Sequence, residues 1–422
     1  MIEIKKKEDC CGCSACIAKC PKQCISFYQD EEGFLYPKIN KNTCVECGVC
    51  ECVCPMNDNA KVFSNLESTK EDIIHQALKT TSKIPECYVC YIREPNIRNE
   101  STSGGAFGAV SEYVLKKGGA VFGVALSSQN EVVHVKAESL EELTRLRRSK
   151  YVQSKQNDVY VNVRKELNSG KMVLYTGTPC QVEGLKNYLG KEYDNLITMD
   201  IFCHGVGSPL YWKKYLTYME QEYQSAISKI HFREKTYGYN SATMALYFDN
   251  GKSSHRGHDD DLYWAPFSKN YIYRPSCYAC EFKKVNHRSD FSIGDFWRTD
   301  DLPTEFKNAN GCSLLLCHST KASEILECVK SKLNIVPYDL EQGLIVNGGH
   351  QPSMLIASAP CPKRRSEFFN DMERLNPRQL NQKYMPLSMK KRIACSLKPM
   401  LYKLGILDLL KQVKKGGKRN AT

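Results

Sequence analysis

The sequence predicts a mixed α/β protein in three parts: a small α+β cysteine-rich domain, a larger α/β domain and a basic amphipathic C-terminal tail. Three observations carry this. Eleven of the 22 cysteines fall between Cys10 and Cys54. From about Glu86, strand-length apolar runs alternate with helix-length amphipathic ones. From Lys383 on, 11 Lys and Arg stand against one acid, Asp408. The expected divisions are residues 1–58, a polar linker with one weakly helical stretch over 59–84, the α/β domain over 85–360, and the tail over 361–422.

The composition, 42% hydrophobic and 25% charged, is that of a chain with a real core. No apolar run reaches the ~18–20 residues of a membrane span. The N-terminus has a basic start but no apolar stretch behind it, so no signal peptide is expected. A small secreted domain this rich in cysteine would suggest disulfides. Here the chain is large and the spacings are of metal type, so a cytoplasmic setting is expected. The net charge is +12, of which the segment from Lys383 on supplies +10. The remainder is near neutral, and no nucleic-acid partner is expected for the body of the protein.

In the first part, Cys10-x-x-Cys13-x-x-Cys16-x-x-x-Cys20-Pro21 recurs as Cys44-x-x-Cys47-x-x-Cys50-x-x-x-Cys54-Pro55. Two-residue spacers let one tight loop wrap three thiolates around three irons of a [4Fe–4S] cubane. The fourth iron must be held from elsewhere. In two-cluster ferredoxins the fourth cysteine of each run ligates the other cluster. This predicts a ferredoxin-like domain with Cys10, Cys13, Cys16 and Cys54 on one cluster. Cys44, Cys47, Cys50 and Cys20 take the other. Structural zinc needs only four ligands, usually two C-x-x-C hooks, and fits two such runs poorly. Cys11, Cys24 and Cys52 lie between ligand positions and are expected to be spectator thiols.

In the α/β part, strands are expected at Cys87–Ile92, Ala120–Leu126, Met172–Tyr175 and Leu196–Phe202, with short buried ones at Phe291–Ile293 and Leu314–Leu316. A β-ribbon is expected over 227–250. Helices are expected at Gly104–Lys117, Pro179–Leu189 and from Pro209 to about Tyr223. Ser103 is a candidate N-cap of the first helix, and Gly104 and Gly105 would let backbone N–H groups approach an anion. Taken alone this is a weak signal, and an ordinary capped helix start is the plainer reading. Thr178 caps the second helix with Pro179 behind it. Cys180 then falls in the first turn, where the positive helix end lowers a thiol pKa. Cys180 and Cys203 should both lie at C-terminal strand ends, which line the ligand crevice of such sheets. Cys277-x-x-Cys280 adds a hook. Together these four cysteines could hold a third [4Fe–4S] cluster; a zinc site or unrelated thiols are the alternatives. Cys87 and Cys90 are three apart on a strand, so they point to opposite faces and should not chelate together. Cys312, Cys317, Cys328, Cys361 and Cys395 read as scattered buried thiols.

The segments STSGG at 101–105, SKYVQS at 149–154, GTPCQ at 177–181, FCHG at 202–205, SCYAC at 276–280 and SDFSIGDFW at 289–297 occur in a family's order. With the N-terminal runs, they resemble the coenzyme F420 (deazaflavin) hydrogenase and dehydrogenase beta-subunit family. That family also includes a chlorophyll-cycle reductase of plants and many bacterial proteins lacking that coenzyme. The resemblance implies an FAD-binding α/β domain that exchanges a hydride and passes electrons to iron–sulfur clusters. It implies Ser103, Gly104, Gly105, Ser149, Lys150 and Tyr151 near the flavin. It also implies Cys180, Cys203, Cys277 and Cys280 as ligands of a domain cluster. The chain departs from the pattern at Arg148, where relatives often have Gly, and at Arg298, where Gly often follows Trp. Asp295 is a candidate for a ribose or flavin group, or else a turn or cap residue. His204 and Lys150 are the catalytic candidates. Their plain readings are a structural histidine and, for Lys150 and Tyr151, a solvated loop.

In the tail, Met389, Ile393, Leu397, Leu401 and Leu404 interleave with Lys390, Lys391, Arg392, Lys398 and Lys403. Such a segment can lie on an anionic membrane surface, dock a partner or fold back on its own domain. Pro399 is expected to break it into two short pieces.

The expected function is a flavin-dependent iron–sulfur oxidoreductase, with ferredoxin or a partner redox enzyme as the one-electron partner. A hydride brings two electrons and a cubane changes by one, so a flavin is needed between them. FAD is expected, with FMN and a deazaflavin open. The alternatives are an electron-relay subunit without its own substrate and an accessory protein in a surface-polysaccharide pathway. A cytoplasmic location is expected, with the inner membrane surface one of the places open to the tail.

Overall fold

A computed structural model describes residues 2–57, 69–307, 310–348 and 353–407. The chain forms two compact units. Met1–Lys213 joins Ile272–Cys361, and Lys214–Tyr271 joins the chain from Pro362 on. The α/β region expected over 85–360 is thus interrupted, because its middle segment folds with the C-terminal part.

The first unit opens with two short helices, Ala15–Lys19 and Val49–Cys52, which follow left-handed residues Ser14 and Gly48. Between them runs a hairpin of β1 (Ile25–Gln29) and β2 (Leu35–Ile39), registered Ile25 to Ile39. The repeated cysteine runs thus produce the same turn-into-helix twice.

An eight-stranded sheet follows. Its strands are β3 (Glu86–Ile92), β4 (Ala120–Leu126), β5 (Val132–Ala137), β6 (Val173–Gly177), β7 (Leu196–Ile201), β8 (Phe291–Phe296), β9 (Cys312–Cys317) and β10 (Leu333–Pro337). The order is β10-β3-β9-β8-β7-β6-β4-β5. β4, β6, β7 and β8 are parallel neighbours, and the other pairings are antiparallel. Helix Pro179–Leu189 is the crossover between β6 and β7, as parallel strands require. The expected strands and helices reappear with ends shifted by a few residues.

The sheet is covered on both faces. Cys90 lies in one core with Leu174, Met199 and Phe291. Cys87 lies in another with Leu314, Leu316 and Leu344. Their opposite facing is the period-2 geometry expected of them. The segment expected as a linker contributes helix Lys70–Lys79, begun by a Thr69–Asp72 capping box. Its Ile74 is fully buried in the same core as Cys87. The N-terminal part also shares a core with the sheet region: Cys11, Cys13, Ala15 and Val53 pack with Tyr160, Val182, Leu185 and Tyr188.

In the second unit, strands Ile227–Glu234, Thr243–Phe248 and Ser253–Arg256 form an antiparallel sheet. Helices Arg365–Met372, Pro377–Tyr384 and Met389–Lys403 belong to the same unit. The last is one continuous helix with Pro399 inside it, not two pieces. Lys391 pairs with Asp259 at 3.1 Å, and Tyr402 meets the Tyr237 ring at 5.2 Å, so one side of the helix packs on its own unit. The helix runs on through Pro399, with these contacts on one side of it. Met389, Ile393, Leu397, Met400 and Leu404, at helical spacing, are exposed. The tail beyond residue 407 lies outside the described residues.

Candidate metal centre

β6 ends at Gly177 and turns at once into helix Pro179–Leu189, so Cys180 sits in that helix's first turn. Thr178 N donates to Gln181 Oε1 at 2.9 Å, which closes the capping box. β7 ends at Ile201, and Cys203 follows two residues later. A single turn, Pro275–Cys277, presents Cys277 and then Cys280. The four thiols line one pocket, together with Cys11 and His204. The Cys203 thiol is pushed up to about 12, by burial first, with Lys283 opposing and Cys180 and Cys280 adding. Burial raises Cys277 as well, reinforced by Cys203 and Cys280.

The helix start does not leave Cys180 a primed thiolate. Its pKa is raised well above the ordinary value, because of the neighbouring Cys11 thiol and burial. Thr178 and Arg274 oppose these two effects without cancelling them. Among the described residues, no three His, Cys, Asp or Glu side chains converge tightly enough to hold a single metal ion.

In the N-terminal part, Cys16 is buried beside Cys10, Cys54 and Cys50, which together with burial raise its pKa. Cys20, Cys44, Cys47 and Cys50 line a second cavity of about 350 Å³. Cys24 lines it too, with its sulfur 3.4 Å from that of Cys20. Cys11 is likewise placed at a candidate site rather than apart from one, while Cys52 is exposed. Of the scattered thiols, Cys312 and Cys317 are buried, Cys395 is half-buried, and Cys328 and Cys361 are exposed, against expectation.

One residue that sequence reasoning passed over joins the cysteine runs to the hook. Arg274 is fully buried. Its Nε donates to Cys10 O at 2.7 Å, and its terminal nitrogens donate to Gln153 Oε1 at 2.9 Å and Leu35 O at 3.1 Å. The guanidinium carbon lies 4.2 Å from the Tyr36 ring centre. Burial opposes its charge, but Cys10, Tyr36, Cys11 and Cys277 more than offset this. The signal in the sequence was an arginine directly before Pro275 and the Cys277 hook. Gly184 completes the seat: a Cβ there would fall 2.9 Å from Cys13 Sγ.

The residues implied for the flavin lie elsewhere. Ser149 N donates to Thr102 Oγ1 at 2.8 Å, so the 101–105 and 148–151 segments adjoin. The helix starts at Ala106 with Gly105 as its cap, so Ser103 is not the cap. Ser103 Oγ instead donates to Cys312 O at 2.5 Å. A Cβ on Gly104 would stand 2.4 Å from Cys90 O, so this glycine is required by the sheet itself. Arg148 has φ +66, a backbone conformation that suits the glycine often found there in the family it resembles. Lys150 donates to the carbonyls of Arg145 at 3.0 Å and Arg147 at 2.6 Å. Burial, with help from Arg148, pushes its pKa down to about 7. The Tyr151 carbonyl accepts from Gly207 N at 3.3 Å, and that of Asp295 from Asn347 Nδ2 at 2.8 Å. Ser103, Gly104, Gly105, Ser149, Lys150, Tyr151 and Asp295 all lie outside the lining of the four-cysteine cavity.

Residues 170–341 match the family described as the C terminus of the coenzyme F420 hydrogenase/dehydrogenase beta subunit. This segment belongs to that family. The F420 hydrogenase/dehydrogenase segment contains Cys180, Cys203, Cys277, Cys280, His204 and Arg274. A chain of the F420-reducing [NiFe] hydrogenase complex from Methanosarcina barkeri is similar at 16% identity with a TM-score of 0.42. That likeness covers 60% of this chain and 82% of that one. No curated protein matches. No helix among the described residues is long and apolar enough to cross a membrane.

The donor set of this family segment fits an iron–sulfur group. Its four thiols come from three separate stretches; burial raises the pKa of Cys203, Cys277 and Cys280, with neighbouring thiols adding, and Cys11 with burial raises that of Cys180. Replacing those protons with iron relieves that crowding. Lys283, itself buried, donates to the carbonyl oxygens of Cys203 and Met354 and leaves a cation beside the thiols. His204 lines the cavity and meets the Tyr273 ring edge-on at 5.5 Å.

Proposed function

We propose that this chain is an iron–sulfur oxidoreductase that carries single electrons between an FAD and a ferredoxin or partner enzyme. Cys10, Cys13, Cys16 and Cys54 would hold one [4Fe–4S] cluster, and Cys20, Cys44, Cys47 and Cys50 a second. Cys180, Cys203, Cys277 and Cys280 would hold a third. Ser103, Gly104, Gly105, Ser149, Lys150, Tyr151 and Asp295 would lie near the flavin, with Lys150 the proton-exchanging candidate there and His204 the candidate at the four-cysteine cavity. The observation that supports this most is the convergence of the four thiols on one cavity that Cys11, from the first N-terminal run, also lines. When bound, the clusters supply one-electron steps and the flavin supplies hydride exchange. The chain's part is to seat the thiols and bury them, with Lys283 and Arg274 offsetting their negative charge.

The test is anaerobic purification followed by iron, zinc and flavin analysis of one sample. About twelve irons and one flavin per chain are expected, four irons per cubane. About eight irons without flavin would sink the flavoenzyme reading.

A second reading, an electron-relay or accessory subunit without its own substrate, draws on Gly104. Its close approach is to the sheet and needs no ligand. Turnover with small acceptors only after a partner is added would favour it. The exposed apolar stripe with its lysines supports contact of the tail helix with the inner membrane surface in either case.

A further inference from the structure

We propose that Cys10, Cys13, Cys16 and Cys54 form the middle of a single electron line, whose outer end is Cys47, facing an external ferredoxin, and whose inner end is the four-cysteine pocket. This rests on the three-cluster reading above.

The order follows from which thiols adjoin. The four-cysteine pocket takes two lining residues from the N-terminal part, Cys11 and Met56. Cys11 stands between Cys10 and Cys13, and Met56 stands two residues after Cys54. Both therefore belong to the stretches that carry the first ligand set. Cys11 and Cys13 share a core with Val182 and Leu185, and Cys180 and Cys280 pack against that core. The approach is close because residue 184 is glycine. A Cβ there, on the helix that carries Cys180, would lie 2.9 Å from Cys13 Sγ. On its other side the first set meets the second. Cys16 is buried in one core with Cys50, and Cys20 and Cys44 pack against it. Among the described residues, the cavity of Cys20, Cys44, Cys47 and Cys50 shares no lining residue with the four-cysteine pocket. The first set thus touches both neighbours, which do not touch each other.

Exposure marks the outer end. Of the twelve thiols assigned as ligands, Cys47 is the exposed one, and the others are buried or half-buried. Beside it, Val45 is 57% exposed. Electron transfer weakens steeply with distance, so a carrier protein has to bring its own cluster against an exposed ligand, and this edge supplies one with an apolar side chain next to it. The ferredoxin's reduced cluster is oxidised by one electron, which passes along the line and reduces the group in the four-cysteine pocket by one. No bond is made or broken and no proton moves.

The order is tested by EPR of the full-length chain, loaded anaerobically and fully reduced with dithionite. Neighbouring reduced clusters split each other's signals. Cys277→Ser is expected to keep about eight irons and a split pair. Cys10→Ser combined with Cys16→Ser, also expected at about eight irons, removes the middle and should leave two unsplit signals. A pair still split in that chain overturns the order. The outer end is tested by stopped-flow reduction with a reduced [4Fe–4S] ferredoxin. Val45→Glu, at an exposed position, should slow it about tenfold, as charging one interface side chain does, and leave reduction by dithionite unchanged. An unchanged rate with the ferredoxin overturns the proposal, whether or not the double variant folds. Failure of the parent reading looks different: the wild-type chain would hold only about eight irons.

Discussion

Replacing Arg274 with Met should release the N-terminal cysteine runs from the sheet. The guanidinium makes three hydrogen bonds, to Cys10 O, Gln153 Oε1 and Leu35 O, and stacks on Tyr36. Hydrogen bonds from a charged group are worth about 1.5–3 kcal/mol each, and a desolvated cation–π contact about 2. The gross loss is then roughly 6–11 kcal/mol. Against this, the variant no longer desolvates a charge, which returns several kcal/mol. A net cost of about 3 kcal/mol remains, or roughly a 100-fold rise in the population of the undocked state. The assay is hydrogen exchange over residues 10–20, with limited proteolysis beside it. Arg274→Lys keeps the charge but not the fork and should fall between wild type and Met. An Arg274→Met chain that protects residues 10–20 as well as wild type does would refute the reasoning.

Three other perturbations have defined outcomes. Cys203→Ser or Cys277→Ser should cost about four irons, one cubane, while Cys24→Ala should cost none; iron analysis decides, and equal losses in all three would refute the ligand sets. His134 is fully buried, with Nδ1 2.9 Å from Ser154 Oγ and Nε2 3.1 Å from Thr176 O. Burial lowers its pKa to about 4. The unfolded chain therefore takes up the proton first. Stability is fully present above pH ~6.5 and is lost as pH falls toward 4, by roughly 2 kcal/mol at pH 5. Urea melts of His134→Gln should lack that part of the pH slope. On the tail, Ile393→Asp with Leu397→Asp should abolish flotation with phosphatidylserine vesicles, and phosphatidylcholine vesicles should not bind the wild type. Equal binding to both lipids would remove the charge-assisted reading.

The sequence by itself determined what depends on local geometry. Cys10 to Cys20 and Cys44 to Cys54 declare their loops through spacing alone. The placing of Cys180 and Cys203 at strand ends followed from cap and proline signals next to apolar runs. The opposed faces of Cys87 and Cys90 followed from strand period. Tertiary structure decided what depends on distant partners. Arg274 and Cys10 are 264 positions apart, and His287 and Asp200 are 87 apart. No local pattern marks either pair. Pro399 is a further case: its local effect is to break a helix, yet the helix runs through it, with contacts to Asp259 and Tyr237, more than 100 residues away, on one side. The raised pKa of Cys180 belongs with these, because it comes from Cys11, brought to it by the fold, and from burial. Spacing and period are short-range properties of the chain, whereas burial and charge pairing arise only when the whole unit has folded.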